Sequence, residues 1–428
     1  MLVTTRQCVI IIALGVVLPL DAQSPRPAES QPDLPALLHT AQDALTRKDF
    51  STAVTALKSV VERQPDFEPA WFDLGYAYSG LNQDADAAKA YQKAIALKPD
   101  AFAPRLNLGV LLVESKQPDA AAEQLAKAVA LKPDHARAHL YYGRALALTG
   151  KPAEAEKEFT RTLELDPKLG IAEFDLGQVE LDQKRFEDAL AAFQKATSFD
   201  RSLAQAELGM ALACEGLKQE TAAIPHFEKY LEAKPDDLET RFHLAQLYLH
   251  ANQNHKALAS LETVYHAKPG LPGLAAALGD VNALLKKLSE SEKYYRQALA
   301  ASPNDSDLHR ALGHTLLDEE KYPEAEAEFR QALKLDPHNT EAAKGLASTV
   351  YLEKRYAEAV PMLEALMKLP QPPMALYFVL ASCYDHLQDK RQALADYEHF
   401  LQLSHGQNPD QEWQATQRAK LLRRELQK

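Results

Sequence analysis

Proline recurs at a fixed interval along most of this chain: Pro65, Pro99, Pro133 and Pro167, then Pro235, Pro269, Pro303 and Pro337. Neighbours within each run lie 34 residues apart, and the 68 between Pro167 and Pro235 is two intervals with Arg201 at the missing mark. A period of this size is the mark of stacked supersecondary units, none of which can bury its apolar face alone. With the proline at position 32, units start at 34, 68, 102, 136, 170, 204, 238, 272, 306, 340 and 374, and eleven of them span 34–407.

Positions that did not define the frame obey it. Position 20 is Ala in every unit except for Ser291, and position 24 is always large: Leu57, Tyr91, Leu125, Phe159, Phe193, Phe227, Leu261, Tyr295, Phe329, Leu363 and Tyr397. A spacing of four puts both residues on one helix face, the small one admitting a neighbouring helix and the large one filling the space beside it. Earlier in the unit, position 7 is mostly Leu and position 8 is Gly or Ala, as in Gly75, Gly109, Gly143, Gly177, Gly279 and Gly313. Glycine inside a helix costs about 0.5–1 kcal/mol relative to Ala, so its recurrence predicts close helix–helix approach. Proline at position 32 ends the second helix, whereas Pro118, Pro152 and Pro323 fall where that helix begins and a missing N–H does no harm. The chain therefore reads as all-α, a solenoid of helical hairpins.

In the second unit Trp71, Leu74, Gly75, Tyr78, Ala87, Tyr91, Ala94 and Pro99 resemble the tetratricopeptide repeat (TPR) at each of its hallmark positions. The resemblance implies a right-handed superhelix of about eleven repeats whose first helices line a groove that holds peptide segments or partner domains. By that analogy the groove is built from positions 2, 5, 9, 12 and 13. The candidate partner-binding residues are then Phe72, Leu106, Leu140, Phe174 and Phe242 at position 5, with Tyr76, Val110, Arg144, Gln178 and Gln246 at position 9. Units eight to ten turn polar on this face, with Asp280, Arg310, His314 and Lys344. The carboxylate clamp of chaperone-binding relatives finds no match in Leu38, Gln42, Tyr76 and Val110.

Three departures carry expectations of their own. Leu208-Gly209 lie two residues early for positions 7 and 8, which predicts a slipped sixth unit with Ala206 and Met210 at positions 5 and 9. Pro225 and Pro361 fall inside second helices, where a kink is expected. Residues 408–428 read as a C-terminal capping helix with Trp413, Leu422 and Leu426 inward, since a solenoid end otherwise exposes its core.

The N-terminus looks like a targeting segment. Arg6 precedes the apolar run from Cys8 to Leu20, which is short for a membrane span, so 1–22 reads as a signal peptide and 23–33 as a Pro-rich flexible spacer. That places the protein in the periplasm or outside the cell, with membrane attachment the alternative if the segment is retained. The formal net charge of −12 argues against a nucleic-acid partner. Phosphate-binding, nucleophile-elbow and zinc-protease motifs are absent, no cofactor is called for, and a chain given over to repeats leaves no room for a catalytic domain. His243, His250 and His255 near Glu239 have spacing that a weak metal site could use, but they read better as solvated groove residues. Cys214 and Cys383, five units apart, read as buried small hydrophobes. The expected function is a non-catalytic protein–protein interaction scaffold, with an accessory subunit of an envelope enzyme or export complex as the alternative.

Overall fold

The structure is a computed structural model that describes residues 33–427, so the proposed signal peptide and nearly all of the spacer lie outside the described residues. The chain forms two compact units that divide after Lys234. In the first, six first helices of 13 residues are α1 (Leu34–Thr46), α3 (Glu68–Gly80), α5 (Phe102–Glu114), α7 (Ala136–Leu148), α9 (Gly170–Asp182) and α11 (Ala204–Gly216). Six second helices of 14 residues alternate with them: α2 (Phe50–Arg63), α4 (Asp84–Leu97), α6 (Pro118–Leu131), α8 (Pro152–Leu165), α10 (Phe186–Phe199) and α12 (Glu220–Ala233). Each first helix packs on its own second helix and on the second helix before it, and successive first helices from α3 to α11 also touch.

The second unit continues the alternation with α13 (Leu238–His250), α14 (Asn254–Ala267), α15 (Leu274–Leu284), α16 (Leu288–Ala301), α17 (Ser306–Asp318) and α18 (Tyr322–Leu335). It ends with α19 (Thr340–Leu352), α20 (Tyr356–Leu366), α21 (Ala375–His386), α22 (Lys390–Ser404) and α23 (Pro409–Leu426). Helix starts follow the expected frame except at α15 and α21, and α20 ends short. Pro272 and a left-handed Gly273 (φ 77°) delay α15, and α20 stops early before the Pro370, Pro372 and Pro373 run.

The repeated glycines have a specific partner. A Cβ at Gly75 would lie 2.6 Å from the Tyr91 ring, at Gly109 2.4 Å from Leu125, at Gly143 2.6 Å from Phe159 and at Gly279 2.6 Å from Tyr295. Position 8 thus receives the large position-24 side chain of its own repeat. Position 24 supplies most of the largest fully buried side chains, including Tyr91, Phe159, Phe193, Phe227 and Phe329.

Turn chemistry closes each hairpin. Position 15 adopts the left-handed conformation in all eleven repeats, from Lys48 (φ 58°) and Asn82 (φ 58°) to Gln388 (φ 65°). The following N–H then reaches back to position 11, as from Asp49 to the Ala44 carbonyl at 2.8 Å, which satisfies a helix-end acceptor. Before each period proline the residue swings out of the helical region, as at Lys98 (φ −136°, ψ 88°), because the pyrrolidine ring excludes it. Asp200 takes the same conformation (φ −137°, ψ 99°) before Arg201, held by the Ser202 N–H and hydroxyl that donate to its carboxylate at 2.9 and 2.6 Å. The same Asx turn forms at Asp336, where the proline is present, so at Asp200 it holds the turn without the ring.

Between repeats, position 4 reaches back to the carbonyl of the preceding period proline: Trp71 Nε1 to Pro65 at 2.9 Å, Arg105 Nε to Pro99 at 2.8 Å, and His139 Nε2 with Pro133 at 3.0 Å. Position 21 Glu occurs only in repeats followed by a position-16 cation. The pairs are Arg185–Glu156 (2.7 Å), Lys321–Glu292 (2.6 Å) and Arg355–Glu326 (2.6 Å). Each joins one repeat to the next.

Two expectations fail here. The sixth repeat is not slipped, because α11 and α12 have the regular starts and lengths. Met210 and Ala211 occupy positions 7 and 8, and Ala206 and Met210 are core residues. Gly209, at position 6, abuts Phe193 of the repeat before it, as Gly345 abuts Phe329. The Leu-Gly pair was a coincidence of two different glycine contacts. In the cap, α23 packs on α22 through Ala415, Ala419 and Leu422, whereas Trp413 is 65% exposed and Leu426 41%. At about 100° per residue, positions 413 and 422 lie on opposite sides of a helix, so both could not face inward. Pro225 and Pro361 do lie inside α12 and α20, and α12 keeps its full 14 residues.

Candidate functional site: the groove of the first helices

The aromatic and leucyl side chains at position 5 do not line an open groove in the first unit. Phe72, Leu106, Leu140 and Phe174 are 2–3% exposed, and the rings turn toward position 24. Phe72 and Tyr91 have centroids 6.1 Å apart, and Phe174 and Phe193 are 5.7 Å apart. Because position 5 precedes the glycine of position 8 by three residues, it shares the face that meets the second helix. These four residues are core. In the second unit Phe242 is half-buried. At position 9 the expectation fares better, with Tyr76, Val110, Arg144 and Gln178 half-buried and Gln246 exposed.

Two cavities open on this face, one in each unit, at the same positions of the repeat. Positions 9, 12, 17 and 24 of one repeat and 5, 6, 9, 10 and 13 of the next line both. In the first unit this gives a cavity of ≈ 50 Å³ between α3 and α5, lined by apolar Tyr76, Tyr91, Leu106, Val110 and Leu111 and by polar Ser79, Asp84, Asn107, Glu114 and Arg137. The second unit has a cavity of ≈ 190 Å³ between α15 and α17 with a polar wall of Asp280, Tyr295, Arg310, His314 and Asp318. Both stand where position 24 is Tyr rather than Phe or Leu. Tyr91 Oη lies 3.2 Å from Ser79 Oγ, and the Tyr295 hydroxyl donates to Asp280 Oδ1 at 2.6 Å. The tyrosine hydroxyl carries the polar edge of the core out to the groove. Position 24 was read only as filler from the sequence; its Tyr/Phe alternation was the available signal.

Charged groups on this face are tuned by their surroundings. Burial, with Glu68 adding to it, pushes the Asp73 carboxyl up to about 7. Arg144 donates from Nε to Asp175 Oδ2 at 2.5 Å and stands 5.2 Å from the Tyr141 ring centroid. Burial raises the Asp175 carboxyl against the pull of that guanidinium, and its other oxygen has no hydrogen-bond partner. Burial, then Arg310, lowers His314. Cys214 and Cys383 are buried thiols, with Cys383 pushed up to about 11 by burial. Among the described residues no group of three or more His, Cys, Asp and Glu side chains is arranged to hold a metal, so Glu239, His243, His250 and His255 do not converge. No helix among them is long and apolar enough to cross a membrane.

Paired helices in a 34-residue frame, with side chains presented from the first helix, define a helical-repeat protein of the binding type. The chain belongs to the tetratricopeptide repeat family: models of that repeat match residues 38–102, 106–170, 149–204, 174–238, 218–272 and 242–306, and further ones match 316–374 and 375–404. Curated relatives include Tetratricopeptide repeat protein 37 of Xenopus laevis, 34% identical over 71 residues, and human Superkiller complex protein 3, 32% identical over 71 residues. Each match covers 17% of this chain and spans only 4% of the relative's length. Similar solved structures include YrrB, described as a TPR protein with an unusual peptide-binding site (20% identity, 47% of this chain and 100% of that one, TM-score 0.39). Others are MamA (24%, 40% and 94%, 0.37) and the C-terminal part of a TPR protein from Cytophaga hutchinsonii (17%, 56% and 98%, 0.47).

Proposed function

We propose that this chain is a non-catalytic scaffold that holds segments of partner proteins against its first-helix face, and that position 9, not position 5, supplies the contacts. The observation that carries this reading is the recurrence of a cavity at identical repeat positions in both units, with a more apolar wall in the first than in the second. A partner segment with an apolar side chain fits against Tyr76 and Val110. The absence of a catalytic role rests on the repeats, which occupy 34–407 and leave no separate body there for a reaction centre. An acidic chain of net charge −12 favours protein over nucleic acid as the partner.

A photo-crosslinking amino acid at Val110 should trap a discrete partner in cells, whereas the same group at Lys127, exposed on α6, should not. Val110→Glu should abolish crosslinking from a second probe at Tyr76. Equal yields at 110 and 127, or an unchanged yield in Val110→Glu, would sink the groove reading. We further propose, from the apolar run Cys8–Leu20, that the protein works in the periplasm or outside the cell. The N-terminal sequence of the mature protein tests it, with a start near residue 23 expected and an intact Met1 counting against it.

A further inference from the structure

The outer face of α23 is unlike that of an ordinary solenoid cap, whose role is to be polar. Opposite the buried stripe of Ala415, Ala419 and Leu422 runs a second stripe spaced by three and four residues: Asp410, Trp413, Gln417, Lys420 and Arg424, with Leu421 beside it. Trp413 is 65% exposed and Leu421 46%. The four basic residues of α23, Arg418, Lys420, Arg423 and Arg424, divide into two classes. Arg418 is held by both oxygens of Asp385, with Nη2 to Oδ1 at 2.7 Å, and Arg423 by Glu398 at 2.7 Å. Lys420 and Arg424 have no partner among the described residues, and neither does Asp410.

We propose that this face pairs with α23 of a second copy of the chain, antiparallel about a two-fold axis at Gln417. The stripe is self-complementary only in that arrangement. Trp413 meets Leu421 of the second copy and Asp410 meets Arg424, twice over, as an isologous contact requires. A parallel pair would set Asp410 on Asp410 and Arg424 on Arg424. Trp and Arg are also the residue types that most often dominate such contacts. With 18 residues, α23 is only about 27 Å long, so the pair is smaller than a permanent interface and should dissociate reversibly. This inference does not depend on the groove.

Sedimentation velocity of the full chain over an about hundredfold range at micromolar concentration reads it directly. The expected result is a monomer–dimer equilibrium that Trp413→Glu or Leu421→Glu weakens at least tenfold with an unchanged circular dichroism spectrum. Asp410→Arg and Arg424→Asp should each weaken it, and the double variant should restore it, because both contacts are re-formed with reversed sign. A monomer at every concentration overturns the proposal. So does a dimer indifferent to Trp413→Glu, or a double exchange that fails to rescue. Trp413-dependent co-sedimentation of a monomer with vesicles of anionic phospholipid would assign the face to a membrane surface instead.

Discussion

Replacing Gly109 by Ala sets two opposed effects against each other at a position where the geometry decides the outcome. Helix propensity favours the substitution by about 0.5–1 kcal/mol. Against it, the new methyl carbon would lie 2.4 Å from Leu125 Cγ and 2.7 Å from Cδ2, on a side chain with no exposure. Leu125 cannot swing away, since its surroundings in α5 and α6 are close-packed, so the helices must part. Overpacking of this kind costs about 1–3 kcal/mol, and the short 2.4 Å approach puts Gly109 toward the upper end, for a net loss of up to about 2.5 kcal/mol. Gly177 provides the internal scale, because a Cβ there meets the Phe193 ring at 3.0 Å, and a small displacement should nearly balance the propensity gain. Gly270, with nothing within 4 Å of an added Cβ, should be neutral or slightly stabilised. Urea denaturation followed by ellipticity at 222 nm, with the first unit's stability confirmed by amide exchange, should rank Gly109→Ala below Gly177→Ala below Gly270→Ala. If Gly109→Ala gains stability as much as Gly177→Ala, intrinsic propensity explains the helix glycines and the close-approach argument is wrong.

Asp73→Asn should change the pH dependence of stability. The folded carboxyl is raised to about 7 from an ordinary value of 3.8, so the folded state binds the extra proton between those limits. Its penalty is absent below pH 4, grows as pH rises and is complete above pH 7, on the order of 2 kcal/mol once partial exposure is allowed for. The amide should therefore be more stable than the wild type at pH 8 and equal to it at pH 4; a constant offset in urea titrations would contradict this. At Lys116, with φ 57°, Gly or Asn should raise the unfolding free energy by about 0.5–1 kcal/mol, since the left-handed conformation strains a lysine there. A loss of stability in Lys116→Gly would show that the lysine makes a compensating contact.

The frame was legible because packing is repeated. Eleven copies average out local accidents, so the period prolines and the small-then-large rule at positions 20 and 24 place nearly every helix start. Where the reading failed, it took one residue pair as evidence by itself. Leu208-Gly209 imitated positions 7 and 8, although Gly209 answers to Phe193 of the preceding repeat and not to its own second helix. Trp413 was placed inward for its size, but the small residues Ala415 and Ala419 give α23 its close approach to α22. The groove was half legible. Position 5 carries the rings that look most like a binding surface, and their period-matched neighbours claim them for the core.

Packing accounts for why the site varies where it does. Positions 7, 8, 20 and 24 are bound to one another across the hairpin, position 5 is buried from the second repeat to the fifth in Phe72, Leu106, Leu140 and Phe174, and position 15 is bound to a left-handed turn. Little is left on the first helix except for positions 2, 6, 9, 12 and 13, and there the residue types change freely: Tyr76, Val110, Arg144 and Gln178 succeed one another at position 9. Position 24 is the one place where core and surface communicate. A phenylalanine there ends within the core, whereas a tyrosine of the same shape extends a hydroxyl to Ser79 or Asp280. A single oxygen at a core position that is large and apolar in most other repeats is therefore enough to make one repeat junction chemically different from the next without disturbing the stack.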